Sequence, residues 1–260
     1  MNRHSRLNGV LDAITESGHV DVDALARKLL VSPSTIRRDL NFLAEQQLLS
    51  RTHGGAVSTS VNYDLPVRYR RSTTSSEKVR IGLAAARLIP DGAVVGLSGG
   101  TTTTEVARAL AGDDPDGADQ PKQVTIVTNA INIASELTVR RRIKLIVTGG
   151  VSRLHSFELT GPLAYDALAQ FDLDVAVLGV NALDPDWGAK VADDDEARIN
   201  RLMAERARTV IIAADSSKVS GRAFARVCPL ADIDYLVTGA GIDQAAAGKI
   251  RAAGVQVVLV

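Results

Sequence analysis

The amino-acid sequence predicts an α/β protein in two parts: a small helical domain that ends in a hairpin, then a larger domain built on a mostly parallel sheet. Apolar residues recur at helical spacing over the first 45 residues. After residue 76, apolar runs typical of buried strands alternate with helical patterns. Aromatic residues make up only 3% of a composition that is 45% hydrophobic, which favours helices packed on parallel strands over an aromatic-rich sandwich.

Composition excludes several classes of protein. The 260 residues leave room for one large domain or for a small and a medium one, and their apolar content excludes a disordered tail. The single cysteine, Cys228, excludes an internal disulfide and a multi-thiolate zinc site. No apolar run is long enough to span a bilayer and the first ten residues are polar and basic, so we expect a cytoplasmic protein without a membrane partner.

Charge is balanced over the whole chain, at 30 basic against 30 acidic residues, but it is distributed unevenly. Residues 1–80 carry 12 Lys and Arg against 8 Asp and Glu. Six arginines fall within 35 residues: Arg37, Arg38, Arg51, Arg68, Arg70 and Arg71. A basic end on an acidic body suggests a face for an anionic polymer, although basic clusters are also common on ordinary solvated surfaces.

Three helices are predicted in the first 45 residues. Four apolar residues at helical spacing indicate the first: Leu7, Val10, Leu11 and Ile14. Asp21 stands at the N-cap of the second helix, and Ser32-Pro33 begins the third with a capping hydroxyl and a proline at its first position.

The third helix has one apolar face, formed by Ile36, Leu40 and Leu43. Five polar residues are therefore expected to point outward: Ser34, Thr35, Arg37, Arg38 and Asn41. Two helices joined by a tight turn, the second opening with Ser, Thr and Arg, indicate a helix-turn-helix.

A β-hairpin is predicted after the third helix. Two short extended runs between Leu48 and Val57 flank a Gly54-Gly55 turn, and Arg51 and His53 lie on them. Three helices and a basic hairpin indicate a winged helix-turn-helix that binds DNA. The alternative is a three-helix interaction module, which the outward arginines disfavour.

The run from Val31 to Leu40, VSPSTIRRDL, followed by RTHGGA at 51–56, resembles the signature of DeoR-type transcriptional regulators. The resemblance implies an operator-binding domain that usually represses genes of sugar or nucleoside catabolism. We assign residues 1–58 to this domain and the Ser-, Thr- and Arg-rich residues 59–76 to a linker.

Seven strands are predicted in residues 77–260, at Ala93–Leu97, Val124–Val127, Ile143–Val147, Val175–Gly179, Val210–Ala213, Tyr235–Val237 and Val255–Val260. Ligands of such sheets bind beyond the carboxyl ends of the strands. Four predicted ends carry small, hydroxylic or charged residues, beginning at Ser98, Thr128, Thr148 and Asp215, and we expect them to converge on one polar pocket.

Gly99-Gly100, followed by four threonines at a helix start, suits a phosphate, because free amides and the helix dipole favour an anion there. Lys218 would add positive charge. The segment is neither a P-loop nor a dinucleotide fingerprint. The alternative is a threonine-capped helix after a glycine turn.

The acidic run Asp193–Glu196 stands at another predicted helix start. Its carboxylates either stabilise the helix dipole or bind sugar hydroxyls. Trp187, in the predicted turn 184–188, either covers a sugar face or packs within its loop.

The segments at the predicted strand ends and the acidic run, together with Gly161-Pro162, also resemble the DeoR-type effector domain. That domain is similar to sugar-phosphate isomerases. The resemblance implies a phosphorylated sugar or polyol as ligand. Many members have an Asp where this chain has Ser98, which leaves the contacts to sugar hydroxyls open. The predicted effector-binding residues are Ser98, Gly99, Gly100, Thr101, Thr102, Thr103, Asn129, Gly149, Gly150, Asp195, Glu196 and Lys218.

Two functions are consistent with the sequence. The first is a regulator, usually a repressor, that binds operator DNA as a homodimer or homotetramer under control of the phosphorylated ligand. The second is an isomerase-like enzyme with an appended DNA-binding domain, using Asp195 or Glu196 as base and Lys218 as charge. No motif defines a catalytic set, so we assign no catalytic residue, no metal and no cofactor.

Overall fold

The computed structural model describes residues 6–7, 9–11, 13–14, 19–45, 49–52, 54–57, 76–112, 122–153 and 156–260. The chain divides into two compact units, residues 1–73 and 74–260. Of the predicted linker, only Ser76 lies within the described residues, where it begins a helix. The predicted DNA-binding residue His53 lies outside them.

The first unit holds three helices and a small antiparallel sheet. The helices are α1 (the helical residues 6–7, 9–11 and 13–14), α2 (Val22–Leu29) and α3 (Pro33–Glu45). The strands are β1 (His19–Asp21), β2 (Ser50–Arg51) and β3 (Gly55–Val57), in the order β1-β3-β2. Strand β1 was not predicted, since three residues are too few to show an alternating pattern.

The second unit is built on a seven-stranded sheet in which every neighbouring pair is parallel. Its strands are β4 (Val94–Leu97), β5 (Val124–Thr128), β6 (Ile143–Val147), β9 (Leu173–Leu178), β12 (Ala207–Ala213), β14 (Tyr235–Thr238) and β15 (Gln256–Leu259). All seven predicted strands are confirmed; one matches at both ends, and the ends of the others differ by at most three residues. Their order, β15-β14-β12-β9-β4-β5-β6, was not predictable from the sequence.

Helices and two small antiparallel sheets complete this unit. The helices are α4 (Ser76–Leu88), α5 (Thr101–Leu110), α6 (Ile131–Leu137), α7 (Pro162–Leu168), α8 (Asp194–Glu205) and α9 (Gln244–Ala252), with short 3-10 turns at Ser216–Lys218 and Leu230–Asp232. The sheets are β7 (Val151–Ser152) with β8 (Leu159–Thr160), and β10 (Ala182–Asp184) with β11 (Gly188–Val191) and β13 (Ala225–Cys228). The predicted turn at 184–188 joins β10 to β11.

The register of the parallel sheet aligns the strand ends that matter for a ligand. Leu97 of β4 pairs with Thr128 of β5 on one side and with Val177 of β9 on the other. Thr128 in turn pairs with Val147 of β6. The segments that follow β4, β5, β6 and β9 therefore leave the sheet side by side.

Among the residues that the structure describes, every helix is too short or too polar to cross a bilayer.

Candidate functional site

In the first unit, the apolar face of α3 packs into the core, and a side-chain hydrogen bond caps the start of the helix. Ile36, Leu40 and Leu43 are fully buried, and Thr35 N–H donates to Ser32 Oγ at 3.3 Å. The opposite face presents the side chains predicted to bind DNA: Ser34, Arg37, Arg38 and Asn41 are exposed, and Thr35 is half-buried. The hydroxyls of Ser34 and Thr35 each lie 2.9 Å from Ser32 Oγ, so a base or phosphate would have to compete with these bonds.

Asp39 lies on α3 between the arginines and the core, and the sequence did not single it out. Its side chain is only 3% exposed, and both oxygens accept from the Arg6 guanidinium of α1, at 2.5 and 3.2 Å. This two-bond ion pair fixes the rotation of α3 against α1. It therefore determines where the outward arginines point.

The wing forms, but its turn differs from the predicted one. Thr52 N–H donates to Gly55 O at 3.1 Å. Gly55 itself belongs to β3, so the turn ends before Gly55 and does not consist of the two glycines. A Cβ at Gly55 would lie 1.8 Å from Val20 O of β1, the neighbouring strand in the same sheet. Arg51 is exposed, and its Nη1 donates to Gly55 O at 2.6 Å.

In the second unit, the glycine loop after β4 is held from two sides. Ser98, fully buried, accepts the Gly179 N–H through Oγ at 3.0 Å. Gly99 N–H donates to Glu158 Oε1 at 2.8 Å. A Cβ at Gly99 would lie 2.4 Å from Glu158 Cγ, so only glycine leaves room for this carboxyl.

Helix α5 begins at Thr101, and its N-cap is Gly100, whose φ of +134° lies outside the range that ordinary side chains adopt. The N–H groups of Thr101, Thr102 and Thr103 occupy the first turn, where an α-helix offers no intrahelical acceptor. The Thr103 and Thr104 hydroxyls donate back to Gly100 O, at 3.1 and 2.7 Å. The backbone amides, rather than these two hydroxyls, are thus the donors open to an anion.

The ends of β5 and β6 lie beside this loop. Asn129 is fully buried; its Nδ2 donates to Leu159 O at 3.3 Å, and its Oδ1 accepts no hydrogen bond within the described residues. Gly149 and Gly150 have φ values of +71° and +121°. A Cβ at Gly150 would lie 2.6 Å from Thr160 O, so this glycine permits the close approach of β8.

The acidic side chains at the start of α8 cap the helix and form contacts with neighbouring side chains. Asp193 is the N-cap and accepts Glu196 N–H at 3.0 Å. Arg153 bridges the run, with contacts of 2.8 Å to Asp193 Oδ2 and 3.0 Å to Glu196 Oε2. Asp195 accepts the Tyr165 hydroxyl at 3.2 Å.

Glu158 connects the glycine loop to this acidic run, and sequence reasoning missed it. The side chain is fully buried, and its carboxyl lies close enough to that of Glu196 for the two to share a hydrogen bond when one of them is protonated. Burial, followed by the charge of Glu196, raises the pKa of Glu158 well above its usual value, against smaller opposing effects of the Gly99 N–H and Arg153. A single glutamate in a loop carries no local signal of such an environment.

Lys218 and Trp187 lie on segments other than those that follow β4, β5 and β6. Lys218 ends the 3-10 turn after β12, and β9 separates β12 from β4 in the sheet. Trp187 is 61% exposed at the β10–β11 turn, with Lys190 Nζ 5.7 Å from the centre of its ring. Of the predicted effector-binding residues, the structure thus brings together those after β4, β5 and β6 and connects Glu196 to them through Arg153 and Glu158.

In the described part of the chain, no group of three or more potential metal-binding side chains occurs.

Family comparisons cover nearly the whole chain. The DeoR-like helix-turn-helix domain matches residues 6–61, and the DeoR C terminal sensor domain matches residues 73–240. The glycerol-3-phosphate regulon repressor of Escherichia coli (strain K12) is 34% identical over 240 residues, 92% of each chain. The HTH-type transcriptional regulator GlpR of Haloferax volcanii is 35% identical over 257 residues, which cover 97% of this chain and 96% of that protein.

Similarity to solved structures is more distant. A ribose 5-phosphate isomerase A from Neisseria gonorrhoeae is 18% identical, covering 58% of this chain and 56% of its own, with a TM-score of 0.40. Such a similarity is too distant to assign an activity. The two family matches and the near full-length relatives agree with the winged domain and the parallel sheet, and this chain belongs to the DeoR family of transcriptional regulators.

Proposed function

We propose that this protein is a transcriptional repressor of carbohydrate catabolism genes whose affinity for operator DNA is controlled by a phosphorylated sugar or polyol. The observation that carries the proposal is the outward face of α3, which exposes Arg37, Arg38 and Asn41 from a helix whose other face is fully buried. Arginine and asparagine are the side chains that form paired hydrogen bonds to guanine and adenine in the major groove. The exposed Arg51 on the wing adds a cation for a neighbouring phosphate.

The part of the proposal that concerns the ligand rests on the second unit. The first-turn amides of α5 offer hydrogen-bond donors and the positive end of the helix dipole to a phosphate. The buried polar side chains of Glu158, which accepts the Gly99 N–H, and of Asn129, which directly follows β5, lie beside this loop. One relative is named for the glycerol-3-phosphate regulon, and this phosphorylated polyol matches the chemistry of such a pocket.

One winged domain reads few base pairs, so we expect a homodimer or homotetramer on a repeated site. The ligand would act by binding one arrangement of the protein better than another, which is the only way in which it can change DNA affinity.

Fluorescence anisotropy on the DNA upstream of the protein's own gene, with and without a panel of sugar phosphates and glycerol 3-phosphate, tests the proposal. We expect a salt-sensitive specific complex that one compound releases. Arg38→Ala should weaken it by about 10-fold or more, the value of a lost base or phosphate contact. Arg222→Ala, an exposed arginine of the second unit, is the matched control. Affinity that no compound alters would remove the ligand from the proposal, and absence of specific binding would overturn it.

The isomerase alternative is disfavoured by the site. Asp195 and Glu196, its candidate bases, are engaged by Tyr165 and Arg153, and Lys218 follows a strand that is not adjacent to β4. Turnover of ribose 5-phosphate that Glu196→Gln abolishes would restore it.

A further inference from the structure

Helix α4 is the first helix of the second unit, and the chain that arrives from the first unit runs directly into its start. The second unit begins at residue 74, and α4 begins two residues later, at Ser76. Any influence of the second unit that reaches the first along the chain therefore passes through the start of α4. The contacts that hold this start in place are thus contacts on which control of DNA binding can depend.

Glu77, in the first turn of α4, is attached to two other segments of the unit. Its Oε1 accepts the N–H of Ser216 at 2.9 Å, a contact across 139 residues of sequence. A Cβ at Gly239 would lie 1.8 Å from the same oxygen, so the carboxylate lies directly against the backbone there. Ser216 follows β12 and Gly239 follows β14, and these two strands are parallel neighbours. The start of α4 is therefore attached at the carboxyl ends of two strands of the sheet.

The middle of α4 packs closely on α5. A Cβ at Gly82 would lie 2.7 Å from the carbonyl carbon of Glu105 and 2.8 Å from its oxygen, so only glycine allows the two backbones to approach this closely. Ile81 and Ala85, on the same helix, are fully buried. Because no side chain separates the two backbones at this point, a displacement of α5 is transmitted to α4 rather than absorbed. Helix α5 is also the helix whose first-turn amides the proposed function assigns to the phosphate.

We propose that Glu77 is the positioning residue through which the second unit controls DNA binding. Its bond to Ser216 holds the start of α4 in one arrangement, and loss of this bond permits a second. The effector binds one of the two arrangements more tightly and so shifts the equilibrium between them. This inference rests on the proposed control by a phosphorylated ligand and adds the contact that transmits it.

The strength of this contact matches the size of an allosteric effect. A hydrogen bond to a charged acceptor is worth about 10- to 150-fold in an equilibrium constant. Coupling between two binding sites is typically about 5- to 150-fold. One bond of this kind is therefore sufficient to separate the two arrangements.

A purely structural role for Glu77 would have a different signature. A carboxylate in the first turn also stabilises its own helix through the helix dipole. If that were its whole role, removing it would lower stability but leave the response of DNA binding to the effector intact. The deciding quantity is the coupling factor, which is the ratio of the DNA dissociation constants measured with and without saturating effector.

Fluorescence anisotropy of the full-length protein on the DNA upstream of its gene measures this factor, with glycerol 3-phosphate, ribose 5-phosphate or fructose 1-phosphate as the probe. We expect a wild-type factor of about 5-fold or more with one of these compounds, and about 2-fold or less with Glu77→Ala. Glu77→Gln keeps an oxygen that accepts the Ser216 N–H and should retain at least about half of the wild-type factor. Glu205→Ala removes an exposed carboxylate from α8 and is the control that should retain all of it.

Ser216→Pro removes the same hydrogen bond from the donor side. Ser216 is the first residue of its 3-10 turn, and Asp215 has φ −65° and ψ 155°, values suited to a residue before proline. This variant should lose the coupling as Glu77→Ala does, and the double variant should lose no more than either alone. It keeps the test decisive if Glu77→Ala fails to fold, as judged by its thermal melt.

Calorimetric titration of the variants with the same compound separates the failures. We expect the compound still to bind Glu77→Ala without changing its DNA affinity. A variant that keeps the wild-type coupling factor would overturn the positioning role and leave the proposed function intact. A variant that no longer binds the compound would place Glu77 in the ligand site itself and also overturn this role. If no compound alters the DNA affinity of the wild type, both this inference and the ligand part of the proposed function are wrong.

Discussion

Glu158 shows how one residue gives a buried site its dependence on pH. Burial and the charge of Glu196 raise its pKa well above the usual 4.5, so it keeps its proton in the folded protein at pH values where an unfolded glutamate has lost it. Folding therefore takes up a proton above about pH 4.5, because the folded state binds protons more strongly. The free energy of unfolding must then fall as pH rises through this window, until the pH exceeds the folded-state pKa.

Glu158→Gln removes this proton uptake, so its free energy of unfolding should gain on the wild type as pH rises from about 5 to 8. The relative gain is at most about 1.4 kcal/mol per pH unit for one proton. Urea unfolding at several pH values, followed by the fluorescence of Trp187 in the second unit, measures it; this is the only tryptophan of the chain. A difference that is constant with pH would contradict the raised pKa, and Glu205→Gln is the control.

In the first unit, Asp39 is the buried side chain on which we expect stability to depend. Asp39→Ala should lower the free energy of unfolding of this unit by about 2–3 kcal/mol, because the Arg6 charge loses its partner; the value lies below that of fully buried pairs since the Arg6 side chain is 14% exposed. Circular dichroism in urea measures the loss. Asp23→Ala, an exposed aspartate of α2, should cost less than about 1 kcal/mol. Equal losses in the two variants would show that the ion pair adds nothing specific.

At the scale of elements, the wing depends on close packing of backbone against backbone. Strand β3 lies between β1 and β2, with Asp21 opposite Gly55 and Arg51 opposite Ala56. The hairpin is thus attached to the short strand that leads into α2, and Val22 N–H donates to Gly54 O at 3.0 Å. The geometry of the wing and that of the helix-turn-helix are coupled through β1.

Gly55→Ala should break this coupling, because its Cβ would overlap the Val20 carbonyl at 1.8 Å. We expect DNA affinity to fall by about 10-fold or more and the first unit to lose at least about 2 kcal/mol of stability, the usual scale of backbone strain. Gly54→Ala is the matched control, since the nearest atom to its Cβ would be Asp21 Oδ2 at 3.7 Å. Anisotropy titrations and urea melts of both variants measure the difference; a Gly55→Ala protein that behaves like Gly54→Ala would show that the β1 contact is dispensable.

At the scale of the whole molecule, the proposed control of a DNA-binding unit by a sensor unit in the same chain requires thermodynamic coupling between them. Coupling between two ligands is reciprocal, so a compound that weakens DNA binding must itself be bound more weakly by the DNA complex, by the same factor.

We therefore expect operator DNA at saturation to reduce effector affinity by the factor by which saturating effector reduces DNA affinity, typically about 5- to 150-fold. Calorimetric titration of the effector into the free protein and into the DNA complex measures one factor, and anisotropy measures the other. Unequal factors at matched salt would indicate a further linked equilibrium, such as a change in oligomeric state.

Much of the fold and part of the site were predictable from local patterns. The seven strands, the caps at Asp21 and Ser32, and the buried face of α3 follow from periodicity and capping chemistry that act over a few residues. The glycine loop after β4 was recognisable because helix-start amides and glycines carry their meaning locally. The grouping of Lys218 with this loop stays a prediction, because Lys218 follows β12, and β9 lies between β12 and β4.

The sequence by itself determined the classes of element and the family to which the chain belongs, since both depend on motifs that are contiguous in the chain. The tertiary structure decided which polar groups meet: Arg6 with Asp39 across 33 residues, and Glu158 with Gly99 across 59. Packing of α1 against α3 sets the first contact, and strand order in the parallel sheet sets the second; neither arises from a local preference of the chain. For the same reason the buried, proton-holding Glu158 was invisible in the sequence, because burial is a property of everything that surrounds a residue.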